Sequence, residues 1–182
     1  MLRITSGKYR NIRIEQPDKA ITRASSEKLR EAVFSSIAFD LENTVFLDLF
    51  SGSGAFGFEA ISRGCKKAIM VEKNKQAYKI ILLNKLKIKD SNISTFNADA
   101  LSFLFKYKGE PLDFIFIDPP YNQFHLYDEC MQQLFLLKLI HKNSVIITES
   151  DQLIESINNY TNYKTKKYGI SFLQYWNVNI SK

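Results

Sequence analysis

Val45-Phe46-Leu47-Asp48-Leu49-Phe50-Ser51-Gly52-Ser53-Gly54-Ala55-Phe56-Gly57 places a strand, a turn and the start of a helix in one continuous stretch. Residues 45–49 are branched or aromatic around a single acid, which reads as a buried strand. Gly52, Gly54 and Gly57 follow at G-x-G-x-x-G spacing, where residues without a Cβ let the backbone approach a ligand. A helix to about Arg63 completes the unit. Downstream the pattern repeats: strand 68–72, helix 75–87, strand 93–97, helix 100–107, strand 112–118, helix 125–138, strand 144–149, helix 151–158, and late strands near 163–167 and 171–179. Alternating strands and helices predict an α/β fold, with a mostly parallel sheet covered on both faces. Right-handed crossovers then bring the loops after Leu49, Val71, Phe96 and Ile117 to one edge of that sheet.

Upstream, residues 1–14 read as a small strand–turn–strand around Ser6-Gly7, and a helix is predicted over 26–39. Ser25 or Ser26 is placed to cap it, with Glu27 in its first turn. The chain has 182 residues, 45% of them apolar or aromatic, which suits one sizeable core. The expected organisation is a single domain over 1–182, with a basic extension at 1–40 and a core at 41–182. Cys65 and Cys130 match no metal or redox spacing and read as reduced, buried thiols of a cytoplasmic protein. No signal-type segment or membrane-length apolar run is present in the sequence, so a membrane role is not expected. The formal charge is +6, and residues 1–30 hold eight cations against three anions. Five of the six arginines lie there although lysine is the commoner cation, and the guanidinium fork suits phosphate. A polyanion is therefore the expected partner of this segment.

Acids recur at the strand ends. Asp48 ends the first strand, where it can orient a cationic amino-acid group. Glu72 ends the next, 15 residues past Gly57, where a carboxylate can accept both hydroxyls of a ribose. Asp99 follows the third and can accept from an adenine amino group. Each has a bland role beside this one, as turn capper or helix-start carboxylate. At the end of strand 112–118 stands Asp118-Pro119-Pro120-Tyr121. Consecutive prolines stiffen the loop and remove donors, leaving the Asp118 carboxylate and a proline carbonyl to accept the two hydrogens of a planar amino group. Tyr121 can stack on the ring carrying that group. A nicotinamide cofactor fits the glycines and Glu72 but leaves the Asp118 loop unexplained. S-adenosylmethionine accounts for every station, with its methyl directed toward Asp118. Neither cysteine lies in a loop suited to the covalent chemistry of C5-cytosine methylation, and His125 and His141 read as ordinary surface or helix-end residues. Phe103, Phe105, Tyr107, Phe172, Tyr175 and Trp176 read mainly as core or edge-strand residues, with Trp176 a minor candidate for stacking.

The stretches 48–54 and 118–121 resemble the first and fourth motifs of class I amino-methyltransferases. More closely, nearly the whole chain resembles the RsmD family of small-subunit ribosomal RNA guanine-N2 methyltransferases. The likeness runs through Arg3-Ile4-Thr5-Ser6-Gly7-Lys8-Tyr9-Arg10, Arg23 to Phe34, Gly57-Phe58-Glu59-Ala60-Ile61-Ser62-Arg63-Gly64 and Tyr168-Gly169. The family usually has Arg-Pro-Thr where this chain has Arg23-Ala24-Ser25, and an arginine where Lys28 stands. The resemblance implies a Rossmann-like, seven-stranded methyltransferase fold. Read together, pattern and resemblance assign Asp48, Phe50, Ser51, Gly52, Gly54, Gly57, Glu72, Lys73, Asp99 and Ala100 to S-adenosyl-L-methionine. Asp118, Pro119, Pro120 and Tyr121 form the catalytic loop, and Arg3, Lys8, Arg10, Arg13, Arg23 and Arg30 contact RNA. No metal is expected. The implied partner is small-subunit ribosomal RNA or a partly assembled small ribosomal subunit, met by a monomer. The alternatives are an adenine-N6 DNA methyltransferase, which would need a target-recognition domain, and a noncatalytic RNA-binding assembly factor.

Overall fold

The computed structural model describes residues 1–18 and 26–179. A two-stranded antiparallel ribbon, β1 (Leu2–Arg3) and β2 (Arg13–Ile14), precedes helix α1 (Glu27–Ser36). The core then alternates β3 (Val45–Asp48), α2 (Ala55–Ser62), β4 (Lys67–Val71), α3 (Lys75–Ile88), β5 (Ile93–Phe96), α4 (Ala100–Lys106), β6 (Leu112–Ile117), α5 (His125–Leu136), β7 (Ile140–Ser150), β8 (Tyr160–Tyr168) and β9 (Ser171–Val178). Seven strands form one sheet in the order β5-β4-β3-β6-β7-β9-β8. The pairings from β5 across to β7 are parallel, and β9 runs antiparallel to both of its neighbours. The α/β fold with a small N-terminal ribbon is as the sequence predicts.

Side-chain alternation on β3 divides the core. Phe46 joins one apolar cluster with α1, α2, α3 and the N-terminal ribbon, while Val45 and Leu47 join a second with α4 and α5. The chain winds outward from β3 to β4 and β5 on one side, and from β6 to β7 on the other. The order reverses between β3 and β6, and at such a switch point the loops above the carboxyl ends diverge and leave a crevice. Asp48 pairs in register with Phe116 of β6, so Asp118, two residues further on, stands above Asp48's neighbour on the same crevice.

The N-terminal extension is bolted to α2. Glu59 is fully buried and accepts from the Thr5 N–H (3.0 Å) and hydroxyl (2.6 Å), the Ser6 N–H (3.1 Å), Arg30 Nε (3.2 Å) and Arg63 Nε (2.7 Å). A helix glutamate thus joins the first strand's turn to α1. Gly7 makes the approach possible, because a Cβ there would sit 1.8 Å from the Ser62 carbonyl oxygen at a φ of +81°. α1 begins at Ser26, whose hydroxyl caps the Leu29 N–H at 3.1 Å.

One predicted element is absent: residues 151–158 form no helix. Ile154 and Ile157 are buried as expected of an apolar face, but Gln174 on β9 captures the backbone first. Its side-chain amide accepts from the Ile154 N–H and donates to the Ile154 carbonyl, each at 2.9 Å. That satisfies the extended chain and removes the need for a helix. Trp176 is buried, with its indole N–H donating to Thr148 Oγ1 at 3.1 Å, so it offers no stacking face. Both cysteines are buried thiols, each pushed up to about 12, chiefly by burial. Among the described residues no helix is long and apolar enough to cross a membrane.

Candidate active site

One cavity opens at the β3/β6 crevice. Asp48, Phe50, Ser51, Gly52 and Asp118, all assigned to the site from sequence, line it together. Leu2, Ser53, Ala55, Phe56 and Phe116 complete its walls, and the last two rings are stacked with centroids 3.8 Å apart. Leu2 comes from the N-terminal ribbon, so this segment closes part of the pocket. Nothing in the sequence around Leu2 marks that role, which exists only once Glu59 has docked the ribbon.

The turn after β3 is tight. The Gly54 N–H donates to the Ser51 carbonyl at 2.7 Å, and the Ser51 N–H donates across to Val71 on β4 at 2.9 Å. Gly52 and Gly54 have positive φ, at 52° and 80°, which glycine adopts without strain. Gly57 also serves the packing of α2. A Cβ there would fall 2.6 Å from Met70, so this glycine lets α2 lie close on β4.

Asp48 lies at the floor of the cavity and is 1% exposed. Its Oδ2 is buried without a hydrogen-bond partner. Burial pushes the carboxyl up to about 7; the Gly57 N–H and the Ser51 hydroxyl oppose this, and the charge of Glu72 adds to it. An unpaired buried acceptor of this kind fits a cationic group such as an amino-acid ammonium. Glu72 is nearly buried, and its Oε2 accepts from the Gly52 N–H at 2.8 Å while Oε1 accepts from the Asn74 N–H at 2.7 Å. Burial raises its pKa against these amides and that of Lys73. Each oxygen keeps a lone pair for a ribose hydroxyl.

Asp99 serves as the cap of α4, accepting from the Leu101 N–H at 3.1 Å and the Ser102 N–H at 3.3 Å, while its second oxygen meets Lys73 Nζ at 3.0 Å. Against a burial penalty, Lys73 and these amides hold its carboxyl below the ordinary range. Ala100 is buried as the first residue of the helix. In the loop after β6, Asp118 is half-buried, Pro119 buried, and Tyr121 44% exposed. The Gln123 N–H donates to the Pro120 carbonyl at 2.8 Å, closing a turn. No backbone N–H among the described residues donates to the carbonyl of Pro119. The charge of Asp118 also reaches Tyr127, whose pKa is raised first by burial and then by this carboxylate.

The basic residues separate into two groups. Arg3, Lys8, Arg10 and Arg13 lie on the exposed surface of the N-terminal ribbon, Arg3 beside Glu27 at 3.3 Å and Lys8 beside Asp90 at 3.7 Å. Arg23 lies outside the described residues. Arg30 is a correction: it is 1% exposed, pairs with Glu59 and donates to the Arg3 carbonyl at 2.7 Å, so it braces the extension and faces no ligand. Its place on the inner face of α1 was hidden because a charged residue at a core position looks like a surface one until its partner is known.

The family model described as Conserved hypothetical protein 95 matches residues 2–177. A relative from Escherichia coli strain K12, "Ribosomal RNA small subunit methyltransferase D", is 33% identical over 122 residues, which is 67% of this chain and 61% of that protein. A protein of the same name from Buchnera aphidicola of Acyrthosiphon pisum is 33% identical over 90% of this chain and 86% of its own length. Among solved structures, "Putative methyltransferase yhhF from Escherichia coli" superposes with a TM-score of 0.87 at 26% identity, covering 99% of each chain.

Proposed function

We propose, from the premise that this chain belongs to the Conserved hypothetical protein 95 family, the RsmD family, that it methylates the exocyclic N2 amino group of a guanine in small-subunit ribosomal RNA. The observation that carries this reading is the shared cavity of Asp48, the glycine turn and Asp118. The buried, unpartnered Oδ2 of Asp48 and the spare lone pairs of Glu72 suit the ammonium and ribose of S-adenosylmethionine. When bound, that molecule supplies a methyl carbon on a positively charged sulfur.

The protein's own task is to prepare the amine. A purine amino group is a poor nucleophile because its lone pair is delocalised into the ring. The Asp118 carboxylate and the Pro119 carbonyl each accept one amino hydrogen, which lets the nitrogen pyramidalise and fixes the direction of its lone pair. As positive charge develops on nitrogen, the same two oxygens stabilise it in a cavity walled by Leu2, Phe56 and Phe116. Tyr121, exposed at the rim, stacks on a base drawn out of its helix. The substrate is RNA alone or in a partly assembled small subunit, bound by a monomer, with Arg3, Lys8, Arg10 and Arg13 on phosphates.

Radiolabel transfer from S-adenosylmethionine to a small-subunit ribosomal RNA transcript or particle tests this, with duplex DNA as the contrasting acceptor. Asp118→Ala should abolish transfer while leaving cofactor affinity within a few-fold by calorimetry. Unchanged turnover in that variant would remove the role given to Asp118, and absence of cofactor binding to folded wild-type protein would remove the whole reading.

A further inference from the structure

The positive charge of this chain sits at its two ends. Residues 31–155 hold 13 cations against 16 anions, whereas residues 156–182 hold four lysines and no carboxylate side chain. Three of those lysines fall on β8, Lys164 at its midpoint and Lys166 and Lys167 in the half nearer the turn into β9.

The register locates that half. Ile117 of β6 pairs with Thr148, Thr148 with Gln174, and Gln174 with Thr165 of β8. One residue further toward the rim, Asp118, Glu149, Leu173 and Lys166 fall in one row, and three strand spacings place Lys166 about 14 Å across the sheet from Asp118. β8 continues past this row through Lys167 and Tyr168 before turning at Gly169 and Ile170. Gly169 has a φ of +61° in the first position of a two-residue turn, and Ile170 is 67% exposed at its tip. The turn therefore overhangs the edge of the sheet that bears the Asp118 loop. Lys166 and Lys167 are exposed, with Lys167 Nζ 5.1 Å above the Phe172 ring. Lys164 reaches back to Ser36 Oγ of α1 at 3.0 Å, which brings the C-terminal basic segment against the N-terminal one.

Lysines on an edge strand also guard against edge-to-edge pairing. That role would be met by charge anywhere along β8, and it accounts neither for the clustering toward the rim nor for an exposed isoleucine at the tip. We propose that the β8–β9 turn is a second RNA-binding surface, on which Lys166 and Lys167 hold phosphates of the strand flanking the target nucleotide and Ile170 rests against a base. This rests on the reading that the substrate is RNA. The target strand is then held between two basic segments, the N-terminal ribbon and this turn.

The test measures binding of a small-subunit ribosomal RNA transcript across a salt series, using the full chain and a Lys166→Ser/Lys167→Ser variant, with cofactor titration on the same samples. The variant should bind the transcript about ten-fold or more weakly near 0.1 M salt. Its log–log salt slope should fall by about 0.7 for each lysine lost. Cofactor affinity and melting temperature should stay at wild-type values, and Lys166→Arg/Lys167→Arg should bind as wild type does. Ile170→Ser should weaken binding with the slope unchanged. If wild type binds the transcript and the serine variant matches it in affinity and slope, the second surface is disproved while the RNA reading stands. If wild type neither binds nor methylates the transcript, the RNA reading falls and this inference falls with it.

Discussion

At the scale of single residues, the decisive side chain is Asp48, because its position costs the folded protein stability. Its carboxyl titrates near 7 when folded, as burial dictates, against about 3.8 in an unfolded chain. The folded state therefore holds the extra proton between those values, and stability falls as pH rises through that window, then levels off above about 7. The whole effect is at most roughly 4 kcal/mol, at about 1.4 kcal/mol per pH unit. Asp48→Asn should remove it: thermal melts of variant and wild type should lie close together near pH 4 and diverge by pH 8, with the variant more stable. Parallel curves would show that the carboxyl is not strained. Binding of an ammonium group at Oδ2 should lower the Asp48 pKa, so cofactor titrations at pH 6 should release protons and give buffer-dependent heats in wild type, while the asparagine variant loses affinity. Strand-end position alone marks Asp48, Glu72 and Asp118 in the sequence. What it does not show is how each acid is held locally: Asp99 also caps α4 and meets Lys73, while Glu72 accepts from the Gly52 and Asn74 amides.

At the scale of elements, the most exacting junction joins the N-terminal ribbon to the end of α2. The Lys8 N–H donates to the Ser62 carbonyl at 2.7 Å and the Tyr9 N–H to the Ser62 hydroxyl at 2.9 Å, around a glycine with no space for a Cβ. Gly7→Ala should unseat the ribbon, seen as loss of exchange protection at Lys8 and Tyr9. Because Leu2 lines the cavity, cofactor affinity should fall along with it. Retained protection would mean that the ribbon has a second way to seat. The strong β–α units were legible because their apolar period and flanking turns agree. Residues 151–158 were not, because a distant glutamine on β9 decides their backbone, and local pattern carries no trace of that partner.

At the scale of the whole molecule, the question is whether residues 1–40 and 41–182 fold as one unit, and the Glu59 network supplies the physical argument that they do. Glu59 and Arg30 are 0% and 1% exposed, and the acid also holds Thr5, Ser6 and Arg63. Opening the extension alone would break the Arg30 pair and the Thr5 and Ser6 hydrogen bonds to Glu59 together, so partial unfolding has no inexpensive route. Against the burial penalty, the Thr5 donors, Arg63 and Arg30 keep the Glu59 pKa below its ordinary value of 4.5. This contribution is thus complete above that value and is lost as pH falls through the lower, folded one. Glu59→Ala should lower stability by about 3–5 kcal/mol, since it leaves Arg30 buried without its counter-charge. Urea unfolding of wild type followed by emission of the single tryptophan, Trp176, which packs in the α4/α5 cluster, should coincide with far-UV dichroism and with proteolysis of the N-terminal ribbon. Early proteolysis of the ribbon at a urea concentration where Trp176 is still native would make the extension a separate unit. Its part in forming the cavity would then arise only on binding. The acid side of the same experiment separates the two: in a single cooperative unit, protonating Glu59 destabilises the tryptophan environment as much as the ribbon, although Trp176 packs in the other core cluster, across the sheet from that glutamate.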